Sequence, residues 1–214
     1  MKNLYAILLT ALLTLVSLWA KAQKFDNLTI AEASSVCSIA QDDKGILWFG
    51  TDAGLFAYDG YRTITPTQHL TTSTPHHLNT RIHSMLMLRN ALYMATERGP
   101  MVYDIRRGRF ETLGGSTHGE MRAVTMYGGR VWYGGAQGLF SIDTKSGEMR
   151  TENTRLRNVY SLLATKHGLL VGTISGLTVL RGTKARTIRI GEGHQPLVNA
   201  LLGDGSTAWI GTEG

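Results

Sequence analysis

Hydrophobic residues along this chain come in short runs cut by glycine, aspartate and asparagine. Beyond the first 22 residues none of these runs keeps the roughly 3.6-residue period of an amphipathic helix. Four separate segments share one pattern: SVCSIAQDDKGILWFGTDAGLFAYDGYR (35–62), RIHSMLMLRNALYMATERGPMVYDIRRGRF (81–110), RAVTMYGGRVWYGGAQGLFSIDTKSGEMR (122–150) and NVYSLLATKHGLLVGTISGLTVLRG (158–182). A fifth, VNALLGDGSTAWIGTEG (198–214), follows the pattern halfway. Aligned on the residue two before a small Gly or Ala, the anchors Trp48, Tyr93, Trp132, Leu170 and Trp209 stand 45, 39, 38 and 39 residues apart. That spacing falls near the period of β-propeller blades; leucine-rich repeats are shorter, and helical repeats would need the missing helical periodicity.

Within one repeat the pattern predicts four short strands. In the first copy they are Ser35–Ala40, Ile46–Gly50, Leu55–Tyr58 and Arg62–Thr65. Asp42-Asp43-Lys44-Gly45, Gly128-Gly129 and Asp204-Gly205 supply the first hairpin turn, where glycine gives the positive φ a tight turn needs. Gly54, Gly99, Gly138 and Gly176 open the third strand. Ser38, Ser84, Thr125, Ser161 and Ala200 align as one small position of the first strand, as crowding around a central axis requires. The aromatic anchors are expected to pack between neighbouring sheets, and Cys37 to be a buried small apolar group. The segment KFDNLTI (24–30) reads as an isolated fourth strand. The expected architecture is all-β: propeller blades of four antiparallel strands in an incomplete ring, four blades plus half of a fifth. The blades lie near 35–65, 81–113, 122–151, 158–190 and 197–214.

The amino terminus follows another rule. Lys2 precedes an apolar run from Leu4 to Trp19, and Ala20-Lys21-Ala22 places small residues where a signal peptidase inspects them. Residues 1–22 are therefore read as a signal peptide cleaved before Gln23, leaving 23–214 as the mature, exported part. The formal charge of +6 falls to +4 without Lys2 and Lys21. That scattered excess argues against a nucleic-acid partner. One cysteine excludes a disulfide framework and a cysteine-based zinc site.

WFGTDAGLFAYDG, preceded by IAQDDKGIL, resembles the repeat of the two-component-regulator propeller family. Its pattern is I-x-x-D-x-x-G-x-[IL]-W-[IF]-G-T-x-x-G-L-x-x-Y-[DN]. The third and fifth copies match less closely; the second departs at Ala95 and Pro100, the fourth at Leu170. The resemblance implies the exported sensor region of a hybrid histidine kinase of the Bacteroides type, detecting polysaccharide fragments. It implies as partners an oligosaccharide ligand, the remaining blades and the kinase of the full-length receptor, with a homodimer of that receptor left open. The chain reads as the amino-terminal piece of such a sensor, anchored in the inner membrane in full-length form and facing the periplasm. Alone it is expected to fold poorly and aggregate.

Loops before the first strand and between the second and third strands share one end of a propeller. Arg81, Arg122 and Asn158 are expected to start first strands there, followed by His83, Tyr160 and Asn199; Asp52, Glu97, Arg98 and Gln137 join from the turns. Arginine with asparagine and tyrosine suits a carbohydrate, because guanidinium holds hydroxyls, a uronate or a sulfate. These residues otherwise cap strand ends in solvent. His69, His76 and His77 lie in the long loop 66–80, but no carboxylate or suitably spaced histidine supports a metal site. No catalytic motif stands out and no cofactor is expected. The alternatives are a propeller-fold enzyme such as a polysaccharide lyase, and a protein-interaction scaffold. DTKSGE (143–148) faintly resembles a quinoprotein repeat but occurs once.

Overall fold

The computed structural model describes residues 27–30, 33–66, 79–114, 118–153 and 155–213, and contains eighteen β-strands and no α-helix among them. The first sheet contains β1 (Val36–Gln41), β2 (Leu47–Thr51), β3 (Gly54–Tyr58) and β4 (Thr63–Ile64). The second contains β5 (Ile82–Leu88), β6 (Ala91–Thr96), β7 (Gly99–Asp104) and β8 (Arg109–Thr112). The third contains β9 (Met121–Tyr127), β10 (Arg130–Gly135), β11 (Gly138–Asp143) and β12 (Met149–Asn153). The fourth contains β13 (Val159–Thr165), β14 (Gly168–Thr173), β15 (Gly176–Arg181) and β16 (Lys184–Ile188). The fifth has two strands, β17 (Leu197–Gly203) and β18 (Ala208–Glu213). Every sheet is an antiparallel meander in chain order. The first strands β1, β5, β9, β13 and β17 lie beside one another in succession, so they line the axis and the sheets fan outward.

The turns explain the repeat's lettering. Thr51, Thr96 and Thr173 each donate a hydroxyl hydrogen to the carbonyl of Gly54, Gly99 and Gly176, at 2.9, 2.7 and 3.1 Å. Each hydroxyl also accepts the N–H of Ala53, Arg98 or Ser175. The glycine that ends each turn has positive φ, between 105° and 124° in these three sheets, which a side chain would strain. Asp42 accepts the N–H groups of Lys44 and Ile46 and the indole N–H of Trp48, tying the first hairpin turn to the aromatic anchor.

The core is a series of layers between sheets. Trp48 packs with Ile82 and Tyr103 across the first gap, and Trp132 with Val159 and Leu169 across the third. Leu170 meets Val198 across the fourth. Tyr133, fully buried, fills the second gap with Ala95 and Met121. Trp209 departs from the expectation: it is half exposed, because β18 has no further sheet against its outer face here.

Three further sequence expectations need correction. Thr125 does not occupy the small axial position; Ala123 does, since it pairs with Gly134 as Ser38 pairs with Gly50 and Ser161 with Gly172. Cys37 is exposed. Residues 27–30 form no strand; Ile30 instead packs on Phe49 and Phe56 at the side of the first sheet. Residues 1–22 and the histidines 69, 76 and 77 lie outside the described residues.

Candidate functional site

Every axial strand is interrupted at the same place. The ladder shifts between Val36 and Ser38, Ile82 and Ser84, Met121 and Ala123, Val159 and Ser161, and Val198 and Ala200. Each shift is a β-bulge, which sets one extra residue outside the pairing and re-aims its side chain. The extra residues are Cys37, His83, Arg122, Tyr160 and Asn199. Two positions upstream, the carbonyls of Ser35, Arg81, Glu120 and Asn158 accept the N–H of Asp52, Glu97, Ala136 and Ile174 at 3.2, 3.0, 3.4 and 3.2 Å. The turn between the second and third strands is thereby stitched to the start of the first in four successive sheets, giving one end of the propeller a repeated backbone frame.

Side chains on that frame differ from sheet to sheet, and four of them join. Arg122 donates from Nε and Nη2 to the two oxygens of Glu120, at 3.1 and 2.9 Å. Its guanidinium lies over the ring of Tyr160, 4.4 Å from the centroid. On the other side, His83 Nε2 stands 3.2 Å from Glu120 Oε1, off the line a hydrogen bond requires. Accordingly His83 Nε2 and Arg122 Nη1 are buried polar atoms without a hydrogen-bond partner. The chain His83–Glu120–Arg122–Tyr160 spans three sheets.

The pair sets the local charge. The Arg122 hydrogen bonds hold the Glu120 carboxyl below its ordinary value, and Glu120 holds the Arg122 guanidinium above its own. Burial pushes the His83 imidazole below the usual histidine value; Glu120 opposes this, while Arg81 and Arg122 reinforce it. At neutral pH the cluster therefore carries one positive and one negative group and an uncharged imidazole.

The frame reorders the residues expected from the sequence. His83, Arg122, Tyr160 and Asn199 are equivalents on the bulges, so Arg122 does not correspond to Arg81 and Asn158 as its place at the start of a repeat suggested. Arg81 and Asn158 sit on the stitched positions, Asn158 with a φ of 50° and its N–H on the carbonyl of Ala136. Glu97, Arg98 and Gln137 are exposed turn residues at the same end. Asn199 is exposed on the last axial strand. Asp52 accepts from the N–H groups of Ser34 and Ser35 and from the Ser34 hydroxyl, and so fixes the first strand's start. Glu120 was not singled out from the sequence. Its signal is the polar series Ser35, Arg81, Glu120, Asn158, visible once the bulges fix the alignment.

Grooves also lie elsewhere among the described residues. One of about 900 Å³ runs between the fourth and fifth sheets over Leu163, Leu170 and Val179, rimmed by Lys166, Arg181 and Arg186. It opens at the turns on the opposite end from the bulges, beside a sheet of two strands, so it is an uncovered flank and not a closed cavity. A smaller one of about 370 Å³ lies at that same end between the second and third sheets. Among the described residues no group of three metal-ligating side chains converges.

Antiparallel four-stranded sheets fanned about shared axial strands define a β-propeller. Its first repeat carries the mark of one propeller family: residues 32–53 match the model for the two component regulator propeller. Over 90% of its length the chain is similar, at 32% identity and a TM-score of 0.78, to an extracellular domain assigned to the hybrid two component system BT4673 of B. thetaiotaomicron. It covers 27% of that solved chain. A second extracellular domain, assigned to the hybrid system BT3049 of the same organism, aligns over 87% of this chain and 29% of its own at 21% identity and TM-score 0.70. Virginiamycin B lyase from Staphylococcus aureus aligns over 89% of this chain and 67% of its own at 13% identity and TM-score 0.63; it shares the fold alone. No curated protein matches the sequence.

Proposed function

We propose that this chain is the exported, ligand-sensing propeller of a two-component signalling receptor, recognising a carbohydrate at the bulge end and passing the signal to a histidine kinase. The observation that carries this reading is the polar chain His83–Glu120–Arg122–Tyr160. It links three sheets around the axis, so a ligand touching it bears on the relative placement of whole blades. Arg81, Glu97, Arg98, Gln137, Asn158 and Asn199 surround it as outer contacts. The sensor assignment draws on the first repeat and on the extracellular relatives. Residues 1–22 serve as the cleaved export signal, and 23–214 form the periplasmic propeller segment. The remaining blades, the kinase and a second receptor copy complete the signalling unit.

The test is calorimetric titration of the protein, expressed in its complete natural reading frame, with a panel of plant and host oligosaccharides. Binding without product formation supports a sensor. Product formation would move the protein to the propeller enzymes, and no binding by any saccharide would remove the carbohydrate.

A further inference from the structure

From the sequence alone, a guanidinium at this end could hold a hydroxyl, a uronate or a sulfate equally well. The geometry narrows that freedom, because a carboxylate already lies along one edge of the guanidinium. The Nε–Nη2 edge of Arg122 is spent on Glu120, and one face of the guanidinium rests on Tyr160. What remains unpartnered is Nη1 with its two N–H groups, and His83 Nε2 beside the same carboxylate. A carboxylate has about four lone-pair directions, of which Arg122 takes two, so Glu120 still accepts.

Resting on the carbohydrate reading above, we propose that His83, Glu120 and Arg122 form a subsite for a neutral vicinal diol of a sugar and discriminate against uronates and sulfated sugars. One hydroxyl donates to Glu120 and the neighbouring hydroxyl accepts from Arg122 Nη1; His83 Nε2 completes whichever bond the first hydroxyl leaves open. A hydroxyl is both donor and acceptor and matches this mixed set. An anionic group brings acceptors only and, at Arg122, meets the Glu120 carboxylate paired with it, where like charges repel. Glu120 is thus the specificity residue, and it acts by occupying the arginine as much as by touching the ligand.

The second and third sheets supply all three groups, so the subsite is set by the gap between β5 and β9. Arg81 and Glu97, at the strand start and the adjoining turn, act on His83 with opposite charges.

The experiment uses the protein in its complete reading frame and two probe sets of matched length. One is neutral: xylo-, arabino-, manno- and galacto-oligosaccharides. The other is anionic: oligogalacturonates and sulfated chondroitin fragments. The unmodified protein is expected to bind a neutral probe and no anionic one. Arg122→Met should weaken that binding about tenfold to a hundredfold, the cost of a charged hydrogen bond. Glu120→Gln keeps the shape, frees the Arg122 charge, and is expected to lose neutral binding while gaining an anionic probe, a swing that general loosening of the fold would not produce. His83→Gln, which keeps a donor and an acceptor, should bind within about tenfold of the unmodified protein. Preference of the unmodified protein for the anionic set, abolished by Arg122→Met, would overturn the diol assignment and leave the carbohydrate sensor standing. Neutral binding that is indifferent to both Glu120→Gln and Arg122→Met also overturns the subsite, while absence of binding to either set overturns the carbohydrate reading itself.

Discussion

Val159 of the fourth sheet occupies the space that a side chain on Gly134 of the third would need: a Cβ there would lie 2.3 Å from Val159 Cγ1. The same seat recurs at Gly50 beneath Ile82 and at Gly172 beneath Val198, with 2.8 and 2.7 Å to the nearest side-chain carbon. In the first, third and fourth sheets the glycine two after the anchor (Trp48, Trp132 or Leu170) is therefore the floor on which the next blade's strand begins. Its backbone is ordinary strand, so the constraint is steric. Gly134→Ala is expected to destabilise the protein by about 1–3 kcal/mol through overpacking. Val159→Ala in the same chain should recover part of that loss, a coupling that urea unfolding of the four members of the cycle measures.

The second sheet has Ala95 where the others have glycine, and the residue placed on it is Met121, unbranched at Cβ and able to bend away. Ala95→Gly is accordingly expected to gain nothing: it leaves a methyl-sized void under a buried residue and should cost about 1 kcal/mol. A melting temperature unchanged or raised by Ala95→Gly would show that the two positions are not coupled as described.

Much of this was legible in the sequence because each letter of the repeat has a local cause. Thr51 and Gly54 close one turn, Asp42 ties Trp48, and Gly50 seats Ile82, so the spacing of such letters reported four-stranded sheets. The bulges were not legible. A bulge adds one residue to one strand without changing composition, and the small-residue series slipped by two at Thr125 because alternation resumes with the same parity after the shift. Glu120 was missed for the same reason, since its rank in the site depends on a register only the paired strands define. Exposure of Cys37 and Trp209 depends on which sheets stand beside the first and the last, and no local pattern encodes that.

The third sheet breaks the threonine rule at Gly135, and the reason lies in the site. A Cβ on Gly135 would stand 2.1 Å from the carbonyl oxygen of Glu120. Restoring the repeat's own letter with Gly135→Thr should therefore push the Glu120 backbone outward and disturb its pairing with Arg122. The expected result is weaker ligand binding and lower stability from a substitution toward the consensus, read by titration and thermal unfolding together. Gain of stability with unchanged binding would contradict the close approach.

Acid should loosen the same region in two windows. A histidine held below its ordinary value in the fold binds protons more readily when unfolded, so its contribution is full above the unfolded value and drains as pH falls toward the folded one. For His83, acted on by Glu120, Arg81, Arg122 and Glu97, that window begins at about pH 6.5 and runs downward. Glu120 is also held low, so its share persists above the ordinary carboxylate value and is lost as pH falls below it. His83→Gln should flatten the upper window and leave the lower one, as melting temperatures at successive pH values would reveal. An unchanged upper slope would place the titrating group elsewhere.

The two end sheets carry the last consequence. Val36 and Ile39 on β1 are 47% and 62% exposed, and Leu202, Trp209 and Ile210 on the fifth sheet 67%, 51% and 38%. Such apolar faces drive association when left in water. Residues 23–214 produced alone are expected to bind hydrophobic dye and to elute as mixed oligomers, and the Cys37 thiol, exposed on the same first strand, should react at once with a thiol reagent. Ile39→Lys together with Leu202→Lys places a charge on each face without touching the inter-sheet layers, so it should cut dye binding and shift the population toward monomer. A sharp, reversible unfolding transition of the unmodified monomer, with no dye bound, would mean that these faces are satisfied within the chain.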